Sequence, residues 1–115
     1  MPRSLYLCRL DEIPDGTARG FIVDDGSERG LDLFVHRQGT EIRAFRNECP
    51  HQGTPLETFP DRFLTRDGSA FLCTTHGAQF RLTDGYCFRG PCTGKYLVSL
   101  PVKRDGGLLS VILPD

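Results

Sequence analysis

Two short segments, Cys49-Pro50-His51 and Cys73-Thr74-Thr75-His76, each set a thiol close to an imidazole. Together they offer two sulfur and two nitrogen donors from separate parts of the chain, which is the chemistry of a metal site. A tetrahedral set of mixed sulfur and nitrogen suits zinc, but two cysteines and two histidines can also divide between two irons, each iron taking one kind of ligand. Spacing favours the second arrangement. Zinc fingers group cysteine with cysteine and histidine with histidine, whereas here each segment contributes one of each. Gly53 follows His51 by two residues and Gly77 follows His76 directly. Both segments therefore read as loop tips whose backbone amides can turn toward sulfur and stabilise negative charge there.

The remaining candidates for chemistry read more plainly. Cys8, Cys87 and Cys92 stand outside the paired pattern and are expected to be small buried or half-buried apolar residues. Of these, Cys92 is the one placed to feel the metal site or to meet an oxidant, because it lies in the loop Gly90-Pro91-Cys92-Thr93-Gly94. His36 sits in a strand pattern with no cysteine beside it, so packing or surface exposure is expected rather than metal binding. Phe80 and Phe88 read as core or shielding residues, and Pro91 as the residue that fixes its loop. Arg46, Arg81 and Arg89 flank the motifs, where they would be solvated or would steer an acidic partner.

These residues must be positioned by a small protein. At 115 residues the chain fits one domain, and a bound cluster would add usefully to so small a core. Thirteen glycines and eight prolines are scattered among short apolar runs, a texture that favours an all-β, loop-rich fold. Fourteen basic against fifteen acidic residues leave a formal charge of −1, which provides no argument for nucleic acid or an anionic membrane as partner. The N-terminus has no apolar signal core, and nowhere do about 18 consecutive apolar residues occur. A cytoplasmic location is therefore expected. Five cysteines are then expected to be reduced, and an odd count argues against a disulfide framework.

Strands are expected over 4–8, 19–23, 31–36 and 41–46, with turns at Asp15-Gly16, Asp25-Gly26 and Gln38-Gly39. Near the end of the chain Val98, Leu100 and Val102 alternate, Asp105-Gly106-Gly107 turns, and Leu109, Val111 and Leu113 share one face of a last strand. Residues 1–46 and 96–115 are expected to build the base sheets. Between them, 47–95 reads as an inserted subdomain that carries the ligands. Within it Asp67-Gly68-Ser69 turns a hairpin, 70–73 delivers the second ligand segment and 79–82 returns from it.

The segments Cys49-Pro50-His51-Gln52-Gly53 and Cys73-Thr74-Thr75-His76-Gly77-Ala78-Gln79-Phe80, with Asp84-Gly85 and Gly90-Pro91 downstream, resemble those of the Rieske iron–sulfur family, over most of the chain. The resemblance implies a single all-β domain spanning 1–115, a Rieske-like antiparallel β sandwich or barrel with a small inserted cluster-binding subdomain. It implies one [2Fe–2S] cluster, with Cys49 and Cys73 on the buried iron and His51 and His76 on the outer, more exposed one. Neutral imidazoles in place of two thiolates lower the negative charge on such a centre and raise its potential above that of an all-cysteine ferredoxin. Because oxidised iron acidifies its imidazoles, reduction should take up a proton at sufficiently high pH.

By the same resemblance the chain is not an enzyme but a one-electron carrier. The nearest analogy is the ferredoxin of an aromatic-ring oxygenase system, fed by a flavin reductase; the small Rieske subunit of a nitrite reductase and a zinc-stabilised interaction module are the alternatives. Nothing in the sequence resembles a nucleotide-binding glycine fingerprint or a two-histidine, one-carboxylate iron site. Twenty-one residues, Gln52 to Leu72, separate the ligand pairs, more than in many Rieske ferredoxins. The excess falls within Glu57 to Asp67, where it either extends a hairpin or presents a partner surface. Respiratory Rieske proteins carry an extra cysteine in each ligand loop, and this chain has Thr54 and Thr75 there, so no cross-loop disulfide is expected. Where those proteins present serine and tyrosine hydroxyls to sulfur, Ala78 and Phe80 stand here. Without those donors the reduced centre is less stabilised, and the midpoint should fall toward the low end of the Rieske range of roughly −150 to +300 mV. A redox titration checks this, and a midpoint near the upper limit would contradict it.

Overall fold

The computed structural model describes residues 3–50, 53–57 and 60–113. Among the described residues, ten strands form three antiparallel sheets. β1 (Arg3–Arg9), β10 (Leu108–Leu113) and β9 (Val102–Asp105) make the first, in the order β1-β10-β9. β2 (Ala18–Val23), β3 (Leu31–Gln38), β4 (Glu41–Arg46) and β8 (Ser99–Leu100) make the second, in that order. Each of these sheets thus joins the beginning of the chain to its end. The third is small: β5 (Ala70–Leu72), β6 (Gln79–Arg81) and β7 (Cys87–Arg89). The all-β, antiparallel expectation holds; the alternating 98–102 segment, however, divides into β8 and β9, which belong to different sheets, and β7 is a strand the sequence reading did not anticipate. Among the described residues no helix is long and apolar enough to cross a membrane.

The turns follow from residue type. Gly106 and Gly107 both take positive φ (58° and 86°) and close the tight hairpin in which Asp105 pairs with Leu108, a turn that residues with a β-carbon rarely accept. Asp67 closes the other hairpin by accepting hydrogen bonds from the Ser69 amide (3.0 Å) and the Thr65 and Ser69 hydroxyls (both 2.7 Å). Those donors, the Thr65 and Ser69 side chains first, hold its carboxyl down to about 2.

Strand β3 organises the interior because both of its faces are covered. Leu31, Leu33 and Val35 point into one core with Ile13, Ala44, Leu109 and Val111. Phe34, on the opposite face, enters a second core with Phe45, Phe63, Phe71, Phe80 and four cysteines, Cys49, Cys73, Cys87 and Cys92. The alternation 31, 33, 35 is legible in the sequence; that the intervening residues are also buried explains the unbroken run from Leu33 to His36. Phe34 stacks on Phe63 at 4.5 Å and meets Phe71 edge-on at 5.0 Å.

Residues 63–65 form a hairpin arm. The Leu72 amide donates to the Phe63 carbonyl (2.8 Å) and the Thr65 amide to the Ala70 carbonyl (2.9 Å), so 63–65 lies along β5. Phe63 is fully buried, and Asp61 accepts a hydrogen bond from the Gly20 amide at 2.8 Å. The described part of the excess length therefore fills core and extends a hairpin; Phe59 lies outside the described residues. His36 packs as expected, edge-on to Phe71 at 5.3 Å, and burial followed by the charge of Arg43 lowers its pKa. Phe88 departs from the expectation of a core or shielding residue. In β7 the side chain of Cys87 points inward, which turns Phe88 to solvent, 45% exposed.

Phe71 joins these parts, touching Phe34, Phe45 and His36 with no exposed surface. Replacing it by alanine should cost about 3–5 kcal/mol, read as a lower urea midpoint; a loss below about 1 kcal/mol would show that this ring is not central to the core.

Candidate metal centre

The two ligand segments close in the same way. In the first, the Cys49 amide donates to the Thr54 carbonyl (2.7 Å) and the Gly53 amide to the Cys49 carbonyl (2.7 Å). In the second, the Cys73 amide donates to the Ala78 carbonyl (2.9 Å) and the Gly77 amide to the Cys73 carbonyl (2.8 Å). Cysteine, then glycine four residues on, then a carbonyl five residues on, is one loop built twice. Gly53 and Gly77 have φ of 72° and 73°, the left-handed conformation that turns each loop back on itself. The equivalence holds although the histidine is two residues after the cysteine in one loop and three in the other.

A single peptide ties the loops together. The Leu56 amide donates to the Asn47 side-chain oxygen at 2.8 Å, pinning the end of the first loop to its beginning. The Leu56 carbonyl accepts from the Thr74 amide (3.0 Å) and hydroxyl (3.1 Å), which belong to the second loop. Asn47 is itself buried and anchored: its amide nitrogen donates to Glu57 (2.6 Å) and to Asp32 (3.3 Å), and its backbone amide to the Asp32 carbonyl (3.0 Å). Neither Asn47 nor Leu56 is singled out by the sequence reading. The available signal was a polar residue directly after the apolar strand β4 and just before a ligand loop, a place where a buried amide must find partners.

This frame brings Cys49, Cys73 and His76 together, with their ligand atoms all within 4.8 Å of one another. Both thiols are fully buried and His76 is half-buried, in a loop whose Thr74, Thr75 and Gly77 are exposed. The Cys73 sulfur lies 3.6 Å from His76 Nδ1. Burial raises the Cys73 pKa above its usual value, while the backbone amides of His76 and Thr75 act the other way by hydrogen bonding to the sulfur. Those amides are the inward-turned donors expected at a loop tip. His51, the fourth expected donor, lies outside the described residues. The donor set fits an iron–sulfur group, since soft sulfur is buried, imidazole is nearer the surface, and amides face the sulfur.

The other cysteines are buried thiols and all five are unpaired. Arg81, one of the flanking arginines, forms an ion pair with Asp84 and lies 4.6 Å over the Tyr86 ring. It is thus engaged in holding the Asp84-Gly85 turn, where the Tyr86 amide also donates to Asp84 at 3.0 Å.

With this geometry in view, the comparisons with known proteins agree. The family model described as "Rieske [2Fe-2S] domain" matches residues 4–104, and the chain belongs to that family. One [2Fe–2S] cluster per chain comes with this membership. No curated protein matches. Among solved structures, the chain is similar to the ferredoxin of carbazole 1,9a-dioxygenase from Nocardioides aromaticivorans IC177 (TM-score 0.72, 23% identity, covering 94% of this chain and 95% of that one). It is also similar to the Sphingomonas yanoikuyae B1 ferredoxin (TM-score 0.70, 23% identity, 97% and 100% covered). A third likeness is a chain from the complex of reduced oxygenase and oxidised ferredoxin in carbazole 1,9a-dioxygenase (TM-score 0.72, 26% identity, 94% and 91% covered).

The Glu57 carboxyl offers a handle on the frame. Burial raises its pKa above the ordinary carboxylate value; the Asn47 hydrogen bond opposes this, and Asp32 and Asp61 add to it. A carboxyl that holds its proton more tightly in the folded state costs stability as pH climbs from below its ordinary value through the raised one. Glu57→Gln keeps an acceptor for Asn47 and removes that cost. Relative to the parent chain it should gain stability between about pH 4 and about pH 7, measured by urea unfolding at both. A difference independent of pH would contradict this.

Proposed function

We propose that the chain is a one-electron carrier in which Cys49 and Cys73 bind the inner iron of the cluster and His51 and His76 the outer iron, within one Rieske domain over 1–115 whose ligands lie in 47–95. One observation carries the assignment of the inner and outer sides. The cysteine sulfurs are fully buried at the aromatic core, and the imidazole of His76 sits in an exposed loop. The exposed edge is where electrons enter and leave, since the imidazole bridges the metal to the surface that a partner protein touches. The cluster supplies the one-electron couple; the protein holds it, keeps water from its sulfur side, and presents its nitrogen side.

The partners that suit this carrier are a flavin reductase as donor and a terminal oxygenase as acceptor. The support is the likeness to ferredoxins of carbazole 1,9a-dioxygenase, including a chain from a complex of oxygenase and ferredoxin. A cytoplasmic location suits both the partners and five free thiols.

Anaerobically purified protein should contain iron and acid-labile sulfide in equal amounts, should be reduced by such a reductase, and should be reoxidised by a Rieske oxygenase. Cys49→Ser should abolish cluster assembly, whereas His76→Cys should either abolish it or move the midpoint to more negative values. Zinc without sulfide, or an unchanged electron paramagnetic resonance spectrum in Cys49→Ser, would overturn the proposal.

A further inference from the structure

Two buried cysteines that the cluster does not use are in contact with each other. The Cys92 sulfur lies 3.2 Å from the Cys87 sulfur, and Cys87 in turn points its thiol at the Arg89 carbonyl, also at 3.2 Å. Their approach is enforced by backbone hydrogen bonds. The Cys87 amide donates to the Lys95 carbonyl (2.8 Å), the Gly94 amide to the Cys87 carbonyl (2.9 Å) and the Lys95 amide to the Cys92 carbonyl (2.9 Å), which folds the loop back over β7. Forming a sulfur–sulfur bond of about 2.05 Å needs a closure of only about 1 Å from this contact.

We propose that Cys87 and Cys92 are a latent disulfide, a modification site formed by hydroperoxide oxidation and poised to report on the cluster. A thiolate of the pair attacks one peroxide oxygen, the O–O bond breaks, and a sulfenic acid forms as water leaves. The second sulfur then displaces the sulfenic oxygen as a second water. Two electrons pass from the two sulfurs to hydrogen peroxide, and both thiol protons end in water.

Access comes through the loop itself. Within 88–96 Cys92 is the single buried residue in an otherwise exposed run, so a local opening of this short segment brings it to solvent without unfolding the core. In the closed state the Cys92 thiol is buried against the Cys87 sulfur, which shields it from oxidants until the loop opens.

The pair is linked to the ligands by contact. A β-carbon on Gly90 would lie 2.7 Å from the Ala78 α-carbon, so the Gly90 backbone rests directly on the residue whose carbonyl closes the Cys73 loop. Cys92 is also a member of the same buried core cluster as Cys49 and Cys73. Closing the disulfide moves the 90–94 loop where it rests against the Cys73 loop, and so changes the surroundings of the ligand sulfur.

The effect on the cluster rests on the ligand assignment above, but formation of the bond is read separately. Trypsin cuts after Arg81, Arg89 and Lys95, so it separates the two cysteines into peptides 82–89 and 90–95. Cluster-loaded protein, monitored by visible circular dichroism, is treated with hydrogen peroxide, unfolded and alkylated without oxygen, and digested. The expected product is the two peptides joined and lighter by two hydrogens, separable by a phosphine reductant, while the cluster signal persists. The midpoint of the oxidised form should differ from that of the untreated protein, and that of Cys87→Val should not move on the same treatment. Two separate alkylated peptides from protein that keeps its cluster, or cluster loss before any joining of 82–89 to 90–95, would overturn the proposal.

Discussion

The arrangement of the metal centre depends on one peptide group, that of Leu56. Its amide is held by Asn47 at the start of the first ligand loop and its carbonyl by Thr74 in the second. Two loops that, among the described residues, share no strand pairing with each other are thereby set at a fixed separation. The hydrogen bond from the Leu56 amide to Asn47 is buried, and breaking it would leave a polar group without water or partner, at a cost of about 1–3 kcal/mol. That penalty makes the spacing of the donors a property of the fold rather than of the bound group.

The sheets supply the ground on which this frame stands. Because β3 is covered on both faces, the aromatic core beneath the ligands and the aliphatic core of the base are back to back through one strand. Cys49 and Cys73 are members of that aromatic core, so burial of sulfur and packing of phenylalanine are one event. The His76 imidazole, by contrast, is only half-buried, in a loop whose Thr74, Thr75 and Gly77 are exposed. The proposed functional division rests on this asymmetry: an inner side that shields charge from water, and an outer side that admits a partner.

Much of this was legible in the sequence because the ligand pairs are short, local and chemically distinctive, and because alternation in β3 and β10 is strong. The less legible parts depend on contacts distant in sequence. β7 has only three residues, too few for period-two alternation to show that Cys87 faces in and Phe88 out. The role of 63–65 depends on its pairing with β5, which no local pattern in Phe63-Leu64-Thr65 announces. Asn47 reads as an ordinary polar residue until its three side-chain hydrogen bonds are seen together. The contact of Cys87 with Cys92 is set by the backfolding of the loop across Gly90 and Gly94, which spacing alone does not require.

The unequal surroundings of the two irons are the central claim, and Mössbauer spectroscopy of the reduced, isotopically enriched protein tests it most directly. The expected spectrum has two distinct sites, a ferric one among sulfur ligands only and a ferrous one whose parameters show nitrogen coordination. Two equivalent irons in wholly thiolate surroundings would contradict it.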